Sequence, residues 1–125
     1  LEKCAAKLKL LGKQLNKSDV FGVQETHANL GPGASQFHCV CQHHCVFSSW
    51  ACGVAAGGVS IFIRKTIVER CEVTMEELLP ARVIRVKLAG ANFVLWLWCI
   101  HNFELQGSVA RKVARLLKAN LNPCT

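Results

Sequence analysis

Residues 19–27 read DVFGVQETH, a short apolar run that ends abruptly in polar side chains. The apolar part, Val20–Val23, predicts a short buried β-strand, because apolar runs of this length bounded by polar residues are typical of strands in a core. Gln24 and Glu25 follow at the end of this strand. Ligand-binding and catalytic side chains gather at strand ends in α/β proteins, so Glu25 is a first candidate for a functional residue.

A second polar strand end occurs late in the chain, where residues 93–102 read FVLWLWCIHN. The continuous hydrophobicity from Phe93 to Ile100 predicts a central strand covered on both faces. His101 and Asn102 come directly after it. These two residues are therefore the second pair of candidate site residues.

The rest of the chain mixes helical and strand patterns. Apolar residues spaced by three and four predict an N-terminal amphipathic helix: Leu1, Cys4, Leu8, Leu11 and Leu15. Residues 105–117 repeat the pattern. Gly57-Gly58 precede a β-branched run, Val59–Ile63, that predicts a strand. Pro80 ends the segment Met75–Leu79, which we expect to be helical or irregular. Helices at both ends of a set of strands indicate an α/β (α+β) fold.

Charge and composition restrict the function classes. The 125 residues carry a formal net charge of +7 and include one aspartate, Asp19, so mechanisms that need several Asp ligands are excluded for this chain. The positive surplus favours polyanionic partners such as nucleic acid. Eight cysteines without a secretory leader pattern favour reduced thiols in an intracellular setting. No apolar run reaches the roughly 20 residues of a membrane span, so no membrane partner is expected.

Basic and aromatic residues supply candidate contacts for nucleic acid. The segment 82–88 alternates basic and apolar residues, and its cations could contact a DNA backbone from one strand face: Arg82, Arg85 and Lys87. Trp96 and Trp98 are expected to pack in the sheet. Trp50 lies in a predicted loop and is the better candidate for stacking on a base.

The ordered set of DVFGVQE, GGVSIFI and CIHN resembles the endonuclease/exonuclease/phosphatase (DNase-I-like) family. The branch that it resembles most is that of the apurinic-type endonucleases of non-LTR retrotransposons. The resemblance implies a two-layer β-sandwich flanked by helices and Mg²⁺-dependent hydrolysis of a phosphodiester, with DNA as the partner. It implies Glu25 as the metal ligand, Asn102 as a residue that contacts phosphate or orients its neighbours, and His101 as a further catalytic candidate.

The same resemblance implies that residues 1–125 form only part of the family domain. The family's first strand, its downstream Asp-x-Asn motif and its terminal Asp-His pair have no counterparts in this sequence. We therefore expect a partial two-layer β-sandwich from the N-terminal half of a retrotransposon-derived domain that is inactive alone. No small-molecule cofactor is expected, the oligomeric state stays open, and a domain acting on DNA would work inside the cell, in the nucleus.

Two alternatives compete with this interpretation. The first is a non-catalytic remnant that binds nucleic acid through its basic faces. The second is a small zinc-binding module in the segment His38 to Cys52, because Zn²⁺ is held by Cys and His side chains. The candidate zinc ligands are His38, Cys39, Cys41, His43, His44, Cys45 and Cys52. Their irregular spacing does not match the regular pairs of common zinc sites.

Overall fold

The computed structural model describes residues 2–24, 26, 37, 41–50, 57–101, 111, 115 and 118, with backbone only for residues 2–8. Two helices and six strands follow one another in this part of the chain. They are α1 (Glu2–Asn16), β1 (Val20–Gln24), β2 (His44–Ser49), β3 (Val59–Arg64), α2 (Lys65–Val68), β4 (Glu72–Leu79), β5 (Val83–Ala89) and β6 (Val94–Ile100).

Helix α1 confirms the predicted N-terminal helix and packs on the first sheet. Leu15 is buried beside Phe62 of β3, and Leu11 packs partly against the same cluster. The helix ends in polar residues, where the Ser18 hydroxyl donates a hydrogen bond to the Gln14 carbonyl at 3.0 Å. Most of the second predicted helix lies outside the described residues, although Arg111, Arg115 and Lys118 are helical and exposed.

The first sheet has the order β1-β3-β2, and both outer strands run antiparallel to β3. Strand β3 confirms the predicted β-branched strand, and five of its six residues are buried. Its two faces divide the core, because successive side chains of a strand point to opposite faces. Val59, Ile61 and Ile63 pack towards the second sheet, whereas Phe62 packs in the cluster with Leu15.

The second sheet has the order β4-β5-β6 and is also antiparallel. Ile84, Val86 and Leu88 of β5 are buried in the cluster that contains the inward residues of β3. The turn between β5 and β6 is closed by a hydrogen bond from the Gly90 amide to the Phe93 carbonyl at 2.9 Å. A β-sandwich of two three-stranded sheets, with α1 on the outside of the first, confirms the predicted α/β (α+β) class.

Three local expectations were wrong. Met75–Leu79 belongs to a strand, because pairing of β4 with β5 overrides the helix preference of Met, Glu and Leu. Strand β6 is not central: within the described residues it pairs only with β5, and its first three residues are exposed. Strand β1 likewise has a single described neighbour, and its burial alternates with exposure instead of being complete.

Candidate active site at the strand ends

Strands β1 and β6 lie in different sheets and end side by side. The side-chain amide Nε2 of Gln24 donates a hydrogen bond to the carbonyl of Ile100. One residue earlier in each strand, the Cys99 thiol donates to the Val23 carbonyl at 3.5 Å. The two polar strand ends that the sequence singled out therefore meet at one end of the sandwich.

The predicted site residues are described to different degrees. Glu25 and Asn102 lie outside the described residues, but Gln24 and Thr26 on either side of Glu25 are described. The Thr26 amide donates to the Gly58 carbonyl at 3.1 Å. His101 is 3% exposed and its amide donates to the carbonyl of Arg82 at 2.7 Å. The backbone next to Glu25 and the backbone of His101 are therefore hydrogen-bonded to the segments that precede β3 and β5.

Gly57 and Gly58 supply a backbone conformation that this end of the sandwich requires. Their φ angles are +86° and +94°, a region that L-residues with a side chain rarely adopt. A Cβ on Gly57 would lie 3.0 Å from the Ala81 carbonyl oxygen. The Gly58 amide donates to that oxygen at 2.9 Å. The glycine pair therefore lets the segment before β3 approach the β4–β5 turn closely.

Ser49 and Glu77 form a connection between the sheets that the sequence did not predict. The Ser49 hydroxyl donates to the Glu77 carboxylate at 2.7 Å and accepts the Ala81 amide at 2.5 Å. Ser49 is 1% exposed, so its hydroxyl depends on these partners. Glu77 was expected in a helical or irregular piece, and no local sequence pattern links it with Ser49. Glu77 adds a second carboxylate to the strand-end region.

Asp19 lies at the opposite end of β1 from Gln24. Its carboxylate accepts a hydrogen bond from Nε of Arg64 at 2.8 Å in an ion pair. Nη2 of Arg64 also donates to the Ser18 carbonyl at 3.0 Å, and Nε2 of His44 lies 2.6 Å from the same oxygen. Five residues of strand separate the two ends by roughly 16 Å. Asp19 therefore holds the α1–β1 connection and is too far away to serve the strand-end site.

Two buried cysteines are held in the neutral form. Burial raises the pKa of the Cys41 thiol to about 11, and the neighbouring Cys45 adds to the shift while Lys65 opposes it. Burial likewise raises the pKa of Cys99. A neutral Cys99 thiol can donate its hydrogen to Val23, as the geometry requires. At neutral pH the Cys41 side chain packs in the core, and the Cys99 side chain both packs there and donates its thiol hydrogen.

The segment proposed for zinc gains no support from its described part. His38, Cys39 and Cys52 lie outside the described residues. Cys41, His43, His44 and Cys45 are described, and over the described residues no three His, Cys, Asp or Glu side chains cluster in a way that could hold a metal ion.

The resemblance implies Mg²⁺, a hard cation that prefers oxygen ligands. Glu25 offers a carboxylate and Asn102 an amide oxygen in the sequence, and Mg²⁺ needs only one or two such protein ligands because it keeps several waters. The described Glu77 carboxylate lies in the same end of the sandwich. Among the described residues this end of the sandwich has no cluster of three His, Cys, Asp or Glu side chains that could hold a metal ion either.

The chain matches no model of a known protein family, and none of the curated proteins is similar to it. No helix among the described residues has both the length and the apolar character needed to cross a bilayer. Function must therefore be argued from the motif residues and from the geometry of the strand ends.

Proposed function

We propose that this chain is part of a Mg²⁺-dependent phosphodiester hydrolase domain of the DNA endonuclease type. It carries the metal-binding half of the site and is derived from a non-LTR retrotransposon-type endonuclease. The observation that carries the proposal is the hydrogen bond from Gln24 to Ile100, which joins the two polar strand ends across the sandwich. Strand ends that bear a carboxylate and an amide at one place suit the binding of a metal–phosphate pair.

In this proposal Glu25 holds the ion and Asn102 contacts a phosphate oxygen. Bound Mg²⁺ would neutralise phosphate charge as the phosphodiester bond is broken. The chain's own contribution is to keep the two ligands in place. It does so through the Gln24–Ile100 bond and the contact between Thr26 and Gly58.

His101 has a supporting role in the same proposal. Its side chain is almost completely buried, and its backbone amide is bonded to Arg82 in the turn before β5. A buried ring has little access to a phosphate group in solvent. We therefore assign His101 to orienting the strand end, with Asn102 as the residue that meets the substrate.

The chain alone should not cleave DNA. Phosphodiester hydrolases of the resembled family need an Asp-His pair in addition to the metal ligand, and the one aspartate of this sequence is ion-paired with Arg64 at the far end of β1. Glu77 is engaged by Ser49. In this proposal the site binds an ion and a phosphate but lacks the general base that activates water.

Binding of a labelled duplex DNA, measured by fluorescence anisotropy in Mg²⁺ and in EDTA, tests the proposal. The folded chain should bind more tightly in Mg²⁺, and the difference should vanish in Glu25→Gln. Equal affinities in Mg²⁺ and EDTA for the wild-type chain would contradict the metal site and favour the non-catalytic remnant. Binding by the basic faces alone would also be unaffected by Glu25→Gln.

Nicking of supercoiled plasmid tests the second part of the proposal. We expect no Mg²⁺-dependent nicking by the wild-type chain. Nicking that disappears in Glu25→Ala would show that other residues replace the missing Asp-His pair, and would overturn the claim that the chain is inactive alone.

A further inference from the structure

The outer face of the second sheet carries two tryptophans beside two cations. Trp96 and Trp98 lie two residues apart on β6 and so share one face. Lys87 is directly opposite Trp96, and Arg85 is directly opposite Trp98. We call these four residues the tryptophan face.

The cations lie over the indole rings. The guanidinium carbon of Arg85 is 4.4 Å from the ring centre of Trp96 and 5.4 Å from that of Trp98. Nζ of Lys87 is 5.4 Å from the ring centre of Trp96. The Glu76 carboxylate accepts a hydrogen bond from Arg85 at 2.8 Å and fixes the guanidinium on the rings. Ring contacts and an ion pair therefore connect the side chains of this face to one another.

Burial within the described chain does not explain this surface. Trp96 is 40% exposed, and Val94, which lies two residues earlier on the same face of β6, is 58% exposed. No charged residue and no proline interrupts residues 93–100. Edge strands usually carry such residues to prevent unwanted pairing, and contiguous exposed apolar groups mark binding surfaces.

The chemistry of the tryptophan face matches single-stranded nucleic acid. Sheet-borne aromatic rings two residues apart are spaced by roughly 6.6 Å and can each receive an unstacked base. The neighbouring lysine side chain, Lys87, can contact a phosphate. Lys87 forms no ion pair with a carboxylate of the described residues, so its charge is available to a phosphate.

We propose that the tryptophan face binds single-stranded nucleic acid, with bases stacked on Trp96 and Trp98 and a phosphate held by Lys87. The face needs neither Glu25 nor a metal ion. This inference concerns a surface that is separate from the proposed hydrolase site, and its test does not depend on that site. Trp50, the stacking candidate from the sequence, is instead half-buried against Phe37, with their ring centres 5.8 Å apart.

Quenching of intrinsic tryptophan fluorescence by oligo(dT) of about 12 nucleotides tests the proposal. The titration uses the full 125-residue chain in EDTA, so that a metal site cannot contribute. We expect saturable quenching that weakens as salt is raised. Trp96→Leu keeps an apolar side chain but removes the ring, and should weaken binding by roughly 5- to 150-fold. Trp96→Phe keeps a ring and should restore most of the affinity.

Lys87→Gln provides a second variant that does not touch the core. It should reduce the slope of log affinity against log salt by about 0.7, the value for one phosphate contact on a single strand. Lys9→Gln removes the same charge from the exposed surface of α1 and is its matched control. Circular dichroism establishes that each variant is folded.

Three outcomes would overturn the proposal. The first is the absence of saturable oligo(dT) binding by the wild-type chain. The second is unchanged affinity in folded Trp96→Leu together with equal salt slopes for Lys87→Gln and Lys9→Gln. The third is a dimer in light scattering that Trp96→Leu abolishes, because the face would then be occupied by a second copy of the chain.

Discussion

The side-chain amide of Gln24 donates a hydrogen bond to the backbone carbonyl of Ile100, a residue 76 positions later in the chain. The bond crosses from one sheet to the other at the place where both strands end. Any residue at position 100 could offer a carbonyl, so the specific part of the contact is the Gln24 amide. A glutamine before Glu25 is therefore explained by the need to hold two strand ends together.

Replacing Gln24 with Ala should lower the free energy of unfolding by about 1 kcal/mol, the usual net value of one hydrogen bond. Chemical denaturation measures the change. Gln14→Ala is the matched control, because the Gln14 side chain is exposed on α1 and Ala favours a helix. A Gln24→Ala variant as stable as the wild type would show that the bond does not hold the strand ends.

Gly57→Ala should destabilise the chain by more than about 1 kcal/mol. The reason is the positive φ of Gly57 together with the Ala81 oxygen that a Cβ would approach to 3.0 Å. Gly22→Ala is the comparison, since a Cβ there would meet only the Cys99 sulfur at 3.8 Å. Ala at position 22 should be neutral or stabilising by up to about 1 kcal/mol. Thermal unfolding of both variants measures these changes in stability. Equal losses of stability would contradict the close approach of Gly57 to the Ala81 oxygen.

Asp19→Asn should have little effect on either stability or metal binding. The Asp19 side chain is 72% exposed, so its ion pair with Arg64 contributes less than about 1 kcal/mol. The contrast with Glu25→Gln is the useful result, because both substitutions remove one carboxylate charge. Isothermal titration with Mg²⁺ should detect loss of binding only in Glu25→Gln. Loss of Mg²⁺ binding in Asp19→Asn would indicate that the metal site lies at the other end of β1.

Cys41 and Cys99 should react with iodoacetamide more slowly than Cys45 and Cys71 in the native protein. The first two are buried and the last two are half-buried. Only the thiolate reacts, and burial raises the pKa of Cys41 to about 11, so its rate should keep rising as the pH is raised towards that value. Peptide mapping by mass spectrometry follows each site. Fast modification of Cys41 at neutral pH would contradict its burial.

Local sequence patterns correctly predicted the strand that has a neighbouring strand on each side. Strand β3 is central in its sheet, and its run of β-branched residues matches burial on both faces. Strand β6 has an even more apolar sequence, but within the described residues it pairs only with β5, and its first three residues are exposed. Periodicity cannot distinguish these cases, because pairing partners are set by long-range contacts.

The sequence likewise predicted some features of the candidate site and missed others. The resemblance indicated that the end of β1 and the end of β6 would be functional, and the described residues next to them are in contact. The bonds from Ser49 to Glu77 and from Gly58 to Ala81 were not predicted. They join residues from different elements, and β4 was assigned to the wrong type of structure.

The most direct test of the central claim is to locate the bound ion with paramagnetic Mn²⁺ in an isotope-labelled chain by NMR. The account predicts that Mn²⁺ broadens the backbone amides of Thr26, Gly58 and His101 and spares those of Lys65 and Glu72 at the other end of the sandwich. The broadening should be absent in Glu25→Gln. Broadening that centres on residues 41–45, or that is unchanged in Glu25→Gln, would contradict a metal site at the joined ends of β1 and β6.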